Sequence, residues 1–214
     1  MAETLSLIGF HHSVYTRIVR MALAEMGLQA RYIEVNPFAD EADPVLAAHS
    51  PFGRVPVLRD GDFVLTETAA ILRYLDALGN DGSMVPEGAQ SGARMAQVIG
   101  IVDAYGYQPM VRQVFSHGYY RPLMGEEADP EMVAQGLRNS APVLRMLDRI
   151  AAEGLVLNAR RITLADLHLA PMIAYFTRVR DGAAAMAECP ALNGWWAVAR
   201  KRPSLNVTDP FTQR

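Results

Sequence analysis

Three short stretches carry residues that could do chemistry. Glu67-Thr68 opens a run in which Ile71, Tyr74, Leu75 and Leu78 share one helical face. A helix start exposes unpaired N–H groups at the positive end of its dipole, which suits a carboxylate. The Thr68 hydroxyl can add a bond there, and Glu67 can accept from an ammonium. Ser13 precedes a second such run, Val19, Ala22, Leu23 and Met26, and stands where an N-cap is expected. Between them GRVPVLRDGDFVL, residues 53–65, reads as two strands around an Asp60-Gly61 turn. Yet Pro56 sits at the mouth of the first strand, and proline is normally confined to sheet edges, first positions and bulges. Two readings stay open: a plain edge strand, or a backbone at Val55 kept for something other than a neighbouring strand.

Other chemistries find no support. His11 and His12 are adjacent and point in different directions, with no H-x-x-x-H or carboxylate spacing beside them, so no metal is expected. There is no G-x-G-x-x-G, P-loop or G-x-S-x-G pattern. Thr163 and Asp166 fit a capping box and point to folding rather than catalysis. The single Cys189 excludes an internal disulfide framework and a C-x-x-C pair. A formal charge of −3 over 214 residues argues against nucleic acid as a partner. No apolar run approaches the roughly 20 residues of a membrane span, and the opening MAETLSLIGFHHS lacks a basic region followed by a long apolar one. A soluble, cytoplasmic protein with no membrane partner is expected.

The elements that must position these residues fall into two halves. Strands are expected at 5–8, 31–35, 55–59 and 62–65, with helices from Ser13 to Gly27, over 42–49, and from Thr66 or Thr68 to Gly79. The order βαβ, short helix, ββα makes a compact α/β unit with a mixed sheet. GNDGSMVPEGAQSG then reads as a linker. Beyond it the periodicity is helical throughout, with Pro109, Pro142 and Pro171 each expected to kink or interrupt a helix. The expected domains are 1–79 and 93–214, joined by 80–92.

Three segments carry a resemblance. HSPFGRVPVLRDGDFVLTETAAILRYL (49–75), LIGFHHSVYTRIVRMALAEMGL (7–28) and ITLADLHLAP (162–171) resemble, in that order, the glutathione-binding half, the first βα unit and the capping box of the soluble glutathione transferases. The first βα unit is similar to the serine-type, theta- or phi-like, bacterial-style members. The resemblance implies a thioredoxin-like N-terminal domain, an all-α C-terminal domain, a homodimer and a detoxifying transferase activity.

It also implies roles. Pro56 would be cis, leaving the Val55 N–H and C=O to pair with the cysteinyl backbone of glutathione; Glu67 and Thr68 would hold the γ-glutamyl end; Arg54 and His49 would reach the glycyl carboxylate. Ser13 would activate the thiol, with Tyr15 as the alternative. A free thiol of pKa near 8.5 is roughly 3 % ionised at pH 7. Lowering that pKa by two units takes about 2.7 kcal/mol. One hydroxyl hydrogen bond to a charged acceptor supplies about 1.5–3 kcal/mol, and a helix N-terminus adds about 0.3–1. One well-placed hydroxyl is enough.

The electrophile would sit among Phe10, His11, His12, Tyr105, Met110, Arg112 and Gln113, with Phe115, Tyr119 and Tyr120 as further wall candidates. Asp103 is a candidate to contact glutathione across a dimer. Two alternatives share the fold: an isomerase, lyase, dehalogenase or peroxidase using glutathione at the same site, and a non-catalytic binding module.

Overall fold

The computed structural model describes residues 5–41, 43–79 and 82–212. Ala42, the expected first residue of the short helix, and Asn80 and Asp81 of the linker lie outside them. The chain forms two compact units, one of residues 1–84 with 203–214 and one of 85–202. Residues 203–212, which sequence groups with the helical half, therefore pack with the first unit.

In the first unit the strands are β1 (Ser6–Gly9), β2 (Arg31–Glu34), β3 (Val57–Asp60) and β4 (Phe63–Leu65). They form one mixed sheet in the order β2-β1-β3-β4, with β1 parallel to β2 and antiparallel to β3. The helices are α1 (Val14–Glu25), α2 (Pro44–His49) and α3 (Thr68–Gly79). This is the expected order of elements, with strand ends shifted by one or two residues. β3 starts at Val57 because Pro56 has no N–H to give its neighbour.

Ile8, Val35, Leu46 and Val57 form one buried cluster, and Ile18, Val19, Met21 and Ala22 of α1 are fully buried. Ile71, Leu72 and Leu75 do the same for α3, at about 1.5–3 kcal/mol for each large apolar side chain. Gly9 ends β1 where no side chain fits: a Cβ there would lie 2.4 Å from Thr16 Cγ2. That contact brings the start of α1 directly against the end of β1. The tail adds α10 (Pro203–Val207).

The second unit is helical: α4 (Ala89–Ile101), α5 (Arg121–Leu123), α6 (Pro130–Glu153), α7 (Leu164–Phe176), α8 (Arg180–Ala187) and α9 (Pro190–Ala199). Between α4 and α5 the chain stays helical but widens to π-type winding over 102–106 and 108–120. Pro109 lies in this widened stretch, while Pro142 and Pro171 lie inside α6 and α7, and helix continues past all three. Asp129 caps α6 by accepting from Glu131 and Met132 N–H, with Pro130 first in the helix. The capping box of α7 is formed, Asp166 Oδ2 accepting from Thr163 N–H at 2.8 Å and Oδ1 from Trp195 Nε1–H at 2.7 Å. Burial pushes the Asp166 carboxyl up, while these bonds pull it down. No described helix is long and apolar enough to cross a membrane.

Candidate functional site

Ser13 is the N-cap of α1. The chain turns there because Ser13 N–H donates to Phe10 C=O at 2.9 Å and Ser13 Oγ then accepts from Thr16 N–H at 3.3 Å. Capping uses one lone pair of the hydroxyl and leaves its hydrogen to give. Ser13 is half-buried at the N-terminus of a twelve-residue helix, whose dipole favours negative charge at that point. A capping serine and an anion-stabilising serine are thus compatible in one side chain. Tyr15, also half-buried, stands one residue into the same helix and already has a partner of its own.

The Pro56 segment has the open backbone that sequence left as one of two readings. Val55–Pro56 is cis. Ser50 Oγ accepts from Arg54 N–H and donates to Arg54 C=O, both at 3.0 Å, so the Arg54 backbone is satisfied locally. Val55 comes next, half-buried, and among the described residues no backbone hydrogen bond engages it. A polar backbone left without partners is uncommon, and the pair faces no neighbouring strand.

Glu67 and Thr68 follow β4. Glu67 has φ +64°, in the left-handed region that non-glycine residues rarely enter. Its C=O accepts from Ile71 N–H at 2.9 Å, so it caps α3, and its carboxylate is exposed. Thr68 is buried and first in the helix, so its N–H is among those without an intrahelical acceptor. Backbone strain of this kind concentrates at ligand sites.

His49 ends α2, its Nδ1 2.9 Å from Val45 C=O. A carbonyl only accepts, so Nδ1 carries the proton, and the neutral ring offers only a lone pair at Nε2. His49 can therefore donate to a carboxylate only as an imidazolium. The Arg54 side chain is exposed and always a donor.

Around Ser13 stand Phe10, His11 and His12. Phe10 meets the edge of His12 at 5.5 Å and of Phe38 at 5.9 Å. His11 is held from two sides, its N–H donating to Glu34 Oε1 at 3.0 Å and its Nδ1 lying 3.3 Å from Arg20 Nη1. A guanidinium only donates, so His11 is neutral with its proton on Nε2. Burial first and Arg20 second lower its pKa, against a smaller upward pull from Glu34. Sequence reasoning did not find this pairing, since Glu34 and Arg20 lie on different elements.

In the second unit Met110 and Gln113 are buried, Gln113 against Gly136 of α6, where a Cβ would come within 2.7 Å of it. Tyr105 and Arg112 are exposed. Phe115 stacks on Tyr175 at 4.2 Å and on Tyr119 at 5.7 Å, and Arg178 lies 5.1 Å over the Tyr119 ring. Tyr120 is half-buried beside Phe115. Asp103 is partly exposed, with Oδ1 held by His168 Nε2 at 2.8 Å. Among the described residues no group of three or more His, Cys, Asp or Glu is arranged to hold a metal.

Residues 7–82 match the family described as glutathione S-transferase, N-terminal domain. Over its length the chain is similar to glutathione S-transferase F7 of Arabidopsis thaliana, 29% identical over 94% of this chain and 96% of that one. Among solved structures it is similar to glutathione S-transferase III in apo form, at TM-score 0.81 and 28% identity over 96% and 95% of the two chains. It is also similar to the theta class glutathione S-transferase from Xanthomonas axonopodis pv. citri with glutathione bound, at TM-score 0.79 and 25% identity over 97% of each. The thioredoxin-like sheet unit followed by a helical one is the fold these proteins share.

Proposed function

We propose that the chain is a glutathione S-transferase of the serine type, theta- or phi-like and of bacterial style, in which Ser13 activates glutathione; the match of residues 7–82 to the glutathione S-transferase N-terminal domain and the likeness to glutathione S-transferases over the length of the chain support this reading. The observation that carries the reading is a set of polar groups for which the described residues of the first unit offer no partner. These are the Ser13 hydroxyl hydrogen, the Val55 backbone pair, and the Glu67 carboxylate with the N–H groups of Thr68 and its successor. Glutathione offers a thiol, a peptide backbone and a γ-glutamyl zwitterion to match them.

The thiol proton leaves to water, and Ser13 O–H donates to the thiolate. The thiolate attacks the electrophilic carbon; a C–S bond forms and the leaving group departs with its electron pair. Val55 pairs with the cysteinyl backbone. Glu67 accepts from the γ-glutamyl ammonium while the α3 N-terminus receives the carboxylate. Arg54, and His49 when protonated, hold the glycyl end. The working form is a cytoplasmic homodimer, and Asp103 contacts the partner's glutathione.

The test is the thiolate absorbance of bound glutathione against pH, for wild type, Ser13→Ala and Tyr15→Phe. The expected result is that only Ser13→Ala raises the bound thiol's pKa. A shift in Tyr15→Phe alone would transfer the role to Tyr15. Wild type that retains no glutathione would leave the non-catalytic module, and glutathione regenerated rather than consumed would mean isomerase-type use of the same site.

A further inference from the structure

β1 ends at Gly9, and Phe10, His11 and His12 must turn the chain out of the sheet to deliver Ser13 to the start of α1. Backbone pairing with β2 stops at the same level: Gly9 lies opposite Glu34, and Val35 N–H donates to Gly9 C=O at 2.8 Å. Beyond that point a side chain takes over. Glu34 reaches past Gly9 and accepts from His11 N–H at 3.0 Å through Oε1. From the other side, Thr16 Oγ1 of α1 accepts from Phe10 N–H at 3.3 Å, and Ser13 N–H closes the turn on Phe10 C=O.

The Glu34 carboxylate is itself held. Side chains alternate along a strand, so Ile33 and Val35 pack with the buried cluster while Tyr32 and Glu34 share the other face. Tyr32 O–H donates to Glu34 Oε2, and the Tyr32 ring lies against Gly9, where a Cβ would come within 3.1 Å of it. Burial first, and the bond to Glu34 second, push the Tyr32 phenol up, so it remains the donor. The Arg20 guanidinium stands 5.6 Å from the centre of that ring and 3.3 Å from His11 Nδ1. Glu34 is exposed, so core packing does not account for it, yet each of its carboxylate oxygens has a fixed use.

We propose that Glu34 is a positioning residue for Ser13: through His11 N–H it fixes the turn that sets where the Ser13 hydroxyl meets the thiolate. The inference rests on the reading of Ser13 as the residue that activates glutathione. Glu34 acts through the turn and not through its charge, and the two have opposite signs. A nearby carboxylate disfavours a second anion, so by charge alone its removal would lower the pKa of the bound thiol. Loss of the turn raises that pKa, because a displaced hydroxyl makes a longer and weaker bond to the thiolate.

The experiment is the thiolate absorbance of bound glutathione against pH, on the full chain as wild type, Ser13→Ala, Glu34→Ala, Glu34→Gln and the Ser13→Ala/Glu34→Ala double variant. Glu34→Ala should raise the bound thiol's pKa by about 0.5–1, roughly a 3- to 10-fold change in its acidity constant. Glu34→Gln keeps an acceptor for His11 N–H and should leave the pKa at or below the wild-type value. In the Ser13→Ala background Glu34→Ala should add no further rise, because both act through one hydroxyl. A lowered or unchanged pKa in Glu34→Ala, an equal rise in Glu34→Gln, or an additive rise in the double variant would overturn the proposal. Failure of the two readings is distinguishable. A rise in Ser13→Ala with none in Glu34→Ala sinks the proposal alone, whereas no rise in Ser13→Ala removes the reading of Ser13 and the proposal with it.

Discussion

The Ser13 hydroxyl accepts from Thr16 N–H at 3.3 Å and so caps α1 with the same group that is proposed to hold the thiolate. Two substitutions separate these roles. Replacing a capping serine by alanine costs about 1 kcal/mol of stability, and by glycine only a few tenths. Ser13→Ala should therefore lose both unfolding free energy and activity, while Ser13→Gly loses activity by a similar factor and keeps most of the stability. Urea unfolding alongside kcat/KM reads both. Equal stability loss in the two variants would remove the cap from the account.

Gly9 and Thr16 set how closely α1 starts against β1. With a Cβ only 2.4 Å from Thr16 Cγ2, Gly9→Ala must push the helix start aside, at about 1–3 kcal/mol for an overpacked contact. Thr16→Ser removes that methyl, so the double variant should recover part of the loss. The comparison is of urea midpoints at constant m-value. Purely additive losses would show that the two residues do not meet.

Glu67 carries backbone strain at φ +64° that glycine would not feel. A left-handed non-glycine residue costs about 1–2 kcal/mol, part of which glycine returns as lost chain entropy. Glu67→Gly should be no less stable than wild type, yet bind glutathione at least about tenfold more weakly through loss of a charge-assisted bond. Calorimetric unfolding and glutathione titration on one preparation decide it. Unchanged glutathione affinity would free Glu67 from the site.

His11 sits below its ordinary 6.5 because burial, then Arg20, disfavours the imidazolium. The folded chain thus holds the proton less tightly than the unfolded chain. The stability His11 contributes is complete above pH 6.5 and is lost as pH falls through 6.5 toward the folded value. In a proton NMR titration Arg20→Met should raise the His11 midpoint, and Glu34→Gln should lower it. A midpoint indifferent to both would show that the His11–Arg20 contact does not form in solution.

Much of this was legible because it is local. Caps, turn glycines and apolar periodicity act within about four residues, so Ser13, Gly27 and the Thr163–Asp166 box could be read from spacing. So could the order of strands and helices in the first unit, and the helical character of the second. The Pro56 problem was visible as an anomaly, although sequence pattern alone left two readings of it.

What stayed hidden joins residues far apart in the chain. No periodicity in α1 says that Arg17 will donate to Leu205, 188 residues on, or that His12 will stack on Phe211. Nothing local says that His11 will take its partners from α1 and from the end of β2. The widened winding near Pro109 was not read either, since sequence pattern distinguishes helix from strand and not one helical pitch from another. Sequence by itself determined the elements, their caps and the residue types offered at each helix start, because those follow from backbone geometry over one or two turns. Tertiary structure alone decided which of those groups remain unused and which are spent on one another, because that depends on the surfaces that packing brings together.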